Sequence, residues 1–227
     1  MEDNTTYNLI DNRDNHSYAV AKLKDDNIWM AENLDLGRTA LTIDLTNANT
    51  NLSTTITAST FNSWIKSSGT ASIPTAELIP ITGTDSVSNA PYGTLYNFCA
   101  ASAGTICGAE GTKNDDAEYD LCPAGWRLPT GGDSSSEFRN LIQKFDWRES
   151  YTKMRASIAD GGAAFTLAGA FSTTPQDQNS YGNYWSSTSC PYNFVMYSLS
   201  LNDSGEHVWN DSQSNDIGQS VRCIVSL

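Results

Sequence analysis

The sequence predicts an α+β domain with few helices, small antiparallel sheets and much irregular chain, and three stretches carry that prediction. Phe138, Leu141, Ile142 and Phe145 recur at i, i+3, i+4 and i+7, which is one apolar stripe along a helix. Residues 18–23 and 28–31 read as two strands, joined by Lys24-Asp25-Asp26-Asn27, whose Asp and Asn side chains favour a tight turn. Val195, Tyr197, Leu199 and Leu201 alternate with Met196, Ser198, Ser200 and Asn202, so one row of this strand is expected to face the core and the other to face out.

Each element has its punctuation. Pro123 and Pro129 fix the backbone on either side of Gly125-Trp126-Arg127-Leu128, giving an extended entry that stops abruptly. Ser134 with Glu137 three residues on reads as a capping box that opens the amphipathic helix. Phe165 and Leu167 alternate as a buried strand would. Residues 1–16 are polar and are expected to be a frayed, flexible segment ahead of one domain over 17–227. Within that domain 36–91 reads as an insertion: Leu41, Ile43 and Leu45 suggest a short strand, Phe61, Trp64 and Ile65 after Ser59 a short helix, and Pro74, Pro80 and Pro91 break anything longer.

The formal net charge of the 227 residues is −13, and no Lys or Arg lies between Arg155 and Arg222. That argues against nucleic acid or an anionic membrane as partner of the last third. No apolar run is long enough to span a bilayer and no secretory leader opens the chain. Cys99 and Cys107 flank a small-residue loop that could bring them together, and the competing reading of the five cysteines is a set of buried free thiols. No close Cys-x-x-Cys or paired-His spacing suggests zinc. Residues 108–120 are acidic but lack the Asp-x-Asp-x-Asp-Gly order of a dedicated calcium loop, so they read as a solvated run.

Four motifs in order carry a family resemblance: residues 27–34 (Asn-Ile-Trp-Met-Ala-Glu-Asn-Leu), 122–130 (Cys-Pro-Ala-Gly-Trp-Arg-Leu-Pro-Thr), 184–188 (Tyr-Trp-Ser-Ser-Thr) and 220–223 (Ser-Val-Arg-Cys). Together they resemble the Fibrobacter succinogenes major paralogous domain, which is related to the C-type-lectin-like fold and to formylglycine-generating enzymes. The resemblance implies a C-type-lectin-like fold with two helices, the first over residues 92–101, and a carboxy-terminal strand over 221–225 beside the amino-terminal one. Cys122 and Cys223 sit in two of the motifs; bridging them would close a loop of about 100 residues and stabilise the fold by roughly 4 to 5 kcal/mol in the chain-entropy model. With Cys99–Cys107 this implies an oxidising, extracellular or cell-surface setting, reached with a leader or anchor that the chain does not carry, and leaves Cys190 over.

The same family includes variable proteins of diversity-generating retroelements, whose carboxy-terminal region is rewritten through adenine errors. Residues 175–219 turn to Asn, Ser, Asp, Gln, Gly, Tyr and Trp, a mixture suited to adaptable binding surfaces. The resemblance implies a variable region over about 181–219, with Trp185 and the Tyr197, Leu199, Leu201 row as fixed frame. The expected contact surface is Tyr192, Asn193, Phe194, Ser198, Ser200, Asn202, His207, Trp209, Asn210, Asp211, Ser214 and Asn215. The expected partner is a protein or glycan on another cell or surface, with no nucleic acid, no membrane insertion and no cofactor. Trp209-Asn210-Asp211 also matches the Trp-Asn-Asp of sugar-binding C-type lectins, which leaves calcium open and gives the alternative of a calcium-dependent glycan module. The companion Glu-Pro-Asn loop is missing. An enzyme of the formylglycine-generating type is disfavoured, because Cys122 and Cys223 look committed to a structural bridge.

Overall fold

The structure, a computed structural model, describes residues 1–36, 79–80, 83–87, 90–103, 105–106, 115–146, 148–172, 174–192, 195–203 and 207–225, with the side chains of 79–80 and 207–211 left out of the description. The strand expected at 41–45 and the helix expected after Ser59 lie outside those residues. The described chain is mixed α+β, with mostly small antiparallel sheets and few helices.

One sheet joins the two ends of the chain. β1 (Thr6–Asp11), β2 (His16–Lys22), β3 (Ile28–Met30) and β11 (Ile224–Val225) lie in that order, all antiparallel, with Val20 opposite Met30 and Ile224 opposite Trp29. The expected hairpin forms and the carboxy-terminal strand lies beside it, two residues long where five are expected. Its turn is tied by a Leu23 N–H to Asn27 carbonyl bond of 3.0 Å, while Asp25 accepts the Trp29 indole N–H at 2.9 Å.

The amino terminus corrects the expectation of a frayed segment over 1–16. β1 pairs with β2 along its whole length, from Thr6 opposite Ala21 to Asp11 opposite His16. The signal missed was local: Tyr7 and Leu9 pack on the core, and Asp11 and Arg13 form a wholly buried ion pair whose guanidinium also donates to the Leu121 carbonyl.

Two further two-stranded pieces, β4 (Ile79–Pro80) with β5 (Thr94–Leu95) and β6 (Ala170–Phe171) with β7 (Pro175–Gln176), accompany a three-stranded sheet. That sheet comprises β8 (Tyr181–Ser189), β9 (Val195–Asn202) and β10 (His207–Ser214), with β9 central. The helices are α1 (Phe98–Ala101), α2 (Glu137–Lys144) and α3 (Ser150–Arg155). α1 is four residues rather than the ten expected over 92–101. Its first half is extended because Tyr96 exchanges both backbone bonds with Gln219 at 2.8 Å, and the helix starts only where Asn97 Oδ1 accepts the Ala100 N–H. Residues 163–169 form no strand. Tyr184 Oη bonds both the Thr166 N–H and carbonyl and Asp85 accepts the Leu167 N–H, so side chains supply the partners a neighbouring strand would.

The start of α2 is displaced from Ser134 to Glu137. Its N-cap Ser136 makes no side-chain bond to the helix amides, its hydroxyl donating to the Asp133 carbonyl; instead Thr130 Oγ1 accepts the Glu137 N–H at 3.0 Å and the Glu137 carboxylate accepts the Thr130 N–H at 2.8 Å. This reciprocal pairing does what a contiguous capping box does, and Arg127 forks onto the same carboxylate. The Arg-Leu-Pro-Thr segment therefore sets where the helix begins. Phe138, Leu141 and Ile142 are buried on its inner face, as the periodicity requires.

Cys122 and Cys223 form a disulfide across 101 residues. Cys99 is also disulfide-bonded, Cys107 lies outside the described residues, and Cys190 is a buried free thiol. Arg222 is wholly buried: it donates to Asn33 Oδ1 at 3.0 Å and to the carbonyls of Ala163 and Ala164, and its guanidinium lies 4.2 Å from the Phe165 ring centroid. Replacing Arg222 with Leu strands two buried acceptors, Asn33 Oδ1 and the Ala163 carbonyl, and the half-buried Ala164 carbonyl; at about 1–3 kcal/mol for each buried one we expect a loss of at least about 2 kcal/mol in urea unfolding.

Buried Asp120 accepts the Cys122 and Leu128 N–H groups at 2.8 Å each, yet burial pushes its carboxyl up to about 6. The folded protein therefore holds a proton that the unfolded chain, titrating near ~3.9, releases. This contribution is present at low pH and is lost as pH rises through about 4 to 6, to a total of roughly 3 kcal/mol. Urea midpoints of wild type and Asp120→Asn across pH 4–7 should diverge with rising pH in favour of the variant; a constant difference would refute it.

Candidate functional site

The three-stranded sheet is covered on both faces. Leu199 and Leu201 on β9 and Tyr184 on β8 pack in one core cluster with Phe138, Leu141 and Ile142 of α2. Tyr197, next in that row, is half-buried, and its ring lies so close to Gly132 that a Cβ there would come within 2.5 Å. Burial raises the Tyr197 phenol, with the Cys190 thiol beside it. The opposite face begins with Met196 and Trp185, which join a second cluster with Phe98 and Tyr96; Phe98 meets Trp185 edge-on at 5.3 Å.

This two-sided cover corrects part of the expected contact surface. Ser198, Ser200 and Asn202, read as an outward row, are buried, and so is Asn215, whose carbonyl accepts the Phe98 N–H. The alternation along β9 is real, but α1 and residues 218–220 close over the face that a two-layer reading leaves in water. Ser214 is half-buried and Tyr192, at the turn after β8, is 71% exposed. Asn193 and Phe194 lie outside the described residues. His207, Trp209, Asn210 and Asp211 belong to β10, where the register sets them opposite Asn202, Ser200, Leu199 and Ser198.

Beyond Trp185 the same face of the sheet becomes the floor of a cleft of about 260 Å³, roofed on one side by the β6–β7 hairpin. Asn183 and Ser200 lie on this floor, with Ser200 Oγ donating to Asn183 Oδ1 at 2.8 Å. Gln219, held by its backbone pairing to Tyr96, also lines the cleft and is wholly buried. Neither Nε2 nor Oε1 of Gln219 has a hydrogen-bond partner among the described residues. Leaving such a group unpaired costs about 1–3 kcal/mol, so this position is not explained by stability. Exposed Gln176 and Asp177 and half-buried Tyr181 and Gln213 form the mouth. None of the described residues lining the cleft is a Lys, Arg or His.

Of the expected contact residues whose side chains are described, Ser200 lines this cleft. Asn183, Gln213 and Gln219 escaped sequence reasoning because an amide in a polar tail looks the same whether it is solvated or buried. The detectable signal for Gln219 was its place just ahead of Val221, Cys223, Ile224 and Val225, a run too apolar to be a surface loop.

Two other cavities are polar. One of about 190 Å³ is lined by Asp116, Thr130, Asp133, Ser136, Thr188 and Tyr197, with Asp116 already accepting the Ser187 and Thr188 hydroxyls. Another of about 380 Å³ collects Lys22, Lys24 and Lys144, where Lys22 pairs with Asp26 at 2.8 Å. Among the described residues no group of three or more His, Cys, Asp or Glu side chains could hold a metal ion.

Burial makes a graded forecast about exchange. Changing Ser198 to Tyr forces a ring into filled space and should cost at least about 2 kcal/mol, whereas Tyr192→Ser should stay within about 0.5 kcal/mol. Melting temperatures of the two variants check this. Comparison of the chain with protein-family models, with curated proteins and with solved structures found no match in any of the three.

Proposed function

We propose that this chain is a ligand-binding protein of receptor or adhesin type, a variable protein of a diversity-generating retroelement carried on a C-type-lectin-like domain and displayed outside the cell. The observation that carries the reading is the cleft: an Asn, Ser, Gln and Tyr-lined surface held on a rigid, two-sided sheet, with a buried carboxamide that no described residue pairs. Among the expected contact residues with described side chains, Tyr192 and Ser214 reach the surface and are exchangeable, Ser198, Asn202 and Asn215 become frame, and Tyr181 and Gln213 at the cleft mouth are added to the exchangeable set. Rigid aromatic and amide contacts on such a frame bind at little entropic cost. The Cys122–Cys223 bridge is compatible with an extracellular setting, and no described helix is long and apolar enough to cross a membrane.

The encoding locus in several isolates tests the reading. Expected are a nearby repeat differing at adenines, a reverse transcriptase gene, and substitutions concentrated at the surface positions above. Tails identical in every isolate would remove its basis.

A further inference from the structure

We propose that the cleft under the β6–β7 hairpin is an anchor pocket for one carboxamide side chain, Asn or Gln, presented by a polypeptide partner; the inference deepens the binding function proposed above and takes from it only that the ligand is a macromolecule. Three properties of the cleft select this ligand. Its volume of about 260 Å³ falls below the ~300–1,000 Å³ that encloses a whole drug-sized molecule, so it suits a single inserted side chain of something larger, the geometry of a binding hot spot.

Charge is the second. The described floor is neutral, and the one carboxylate among the described lining residues, Asp177, is exposed at the mouth. Among the described lining residues an inserted carboxylate would meet no cation, and an inserted ammonium or guanidinium would leave its charge unpaired on the described floor, which is costly in both cases. A neutral group remains.

Hydrogen-bond complementarity is the third. Gln219 offers a donor and an acceptor side by side, neither used within the described protein, and the Ser200 hydroxyl fixes the Asn183 amide beside it on the floor. An aliphatic side chain would leave the Gln219 carboxamide unpaired. A second carboxamide answers donor with acceptor and acceptor with donor in one plane, through two parallel bonds. The half-buried Tyr181 at the mouth gives the inserted methylenes an aromatic wall.

The test titrates isotope-labelled protein with acetylated, methylamide-blocked Gly-Gln-Gly and its Glu and Leu counterparts, following backbone and side-chain amide resonances. The Gln peptide should shift the Gln219 and Asn183 side-chain amides and the Ser200 backbone, and should bind at least about tenfold more tightly than the Glu or Leu peptide, as expected when a site built for hydrogen bonds meets an analogue lacking them. Gln219→Leu should abolish that preference while raising the melting temperature. Ser200→Ala, a smaller change, should weaken it and serves if the first variant does not fold.

Equal binding of the three peptides, shifts confined to other residues, or an unchanged preference in both variants would each overturn the pocket. So would a monosaccharide panel of glucose, galactose and N-acetylglucosamine binding at these residues in preference to the Gln peptide, which would assign the cleft to hydroxyl-rich ligands. These failures leave the locus test standing, and an invariant locus leaves the peptide preference standing.

Discussion

A buried guanidinium with no carboxylate bonded to it among the described residues is the constraint on which the rest of the molecule depends. Arg222 is sealed from water and spends its donors on the Asn33 carboxamide and the carbonyls of Ala163 and Ala164, with the faces of Phe165 and Tyr184 around its plane. Asn33 in turn donates to the Tyr92 carbonyl and to the hydroxyls of Thr166 and Ser220. Five remote stretches are thereby fixed to one another by groups that cannot be left unpaired at such depth. This explains how residues 163–169 stay ordered without strand pairing: their exposed valences are taken by side chains from that hub and from Tyr184 and Asp85.

The hub and the disulfide act on the same carboxy-terminal segment in different ways. Cys223 links it covalently to the loop ahead of α2, which restrains the unfolded chain, whereas Arg222 and the Gln219–Tyr96 backbone exchange set its depth in the folded one. Because that segment lies against β8, with Ser220 bridged to Tyr184, its depth decides that the second face of the sheet is enclosed. The cleft is what this enclosure leaves between the sheet and the β6–β7 hairpin.

Charge is partitioned accordingly. Arg13, Arg155 and Arg222 are buried, the first two in ion pairs with Asp11 and Asp85, so three of the thirteen cations are structural. They do not offset the surface acidity. A surface of this sign repels polyanions.

The sequence by itself determined the parts governed by local period and local punctuation. The apolar stripe of α2 and the β2–β3 hairpin follow from spacing that leaves one face to bury; the Cys122–Cys223 bridge and the placement of β11 follow from the motif resemblance rather than from spacing. What it left open required contacts between distant residues. The start of α2 waits on Thr130, seven residues upstream of Glu137; β1 waits on β2 and on Leu121; the length of α1 waits on Gln219. The largest difference concerns β9. Its alternation correctly separates two rows, but whether a polar row meets water or a second layer is decided by what folds over it, and the residues that do so lie about 20 positions and about 100 positions away along the chain. A period reports how side chains divide between faces; only the packing of the whole chain decides which faces remain open.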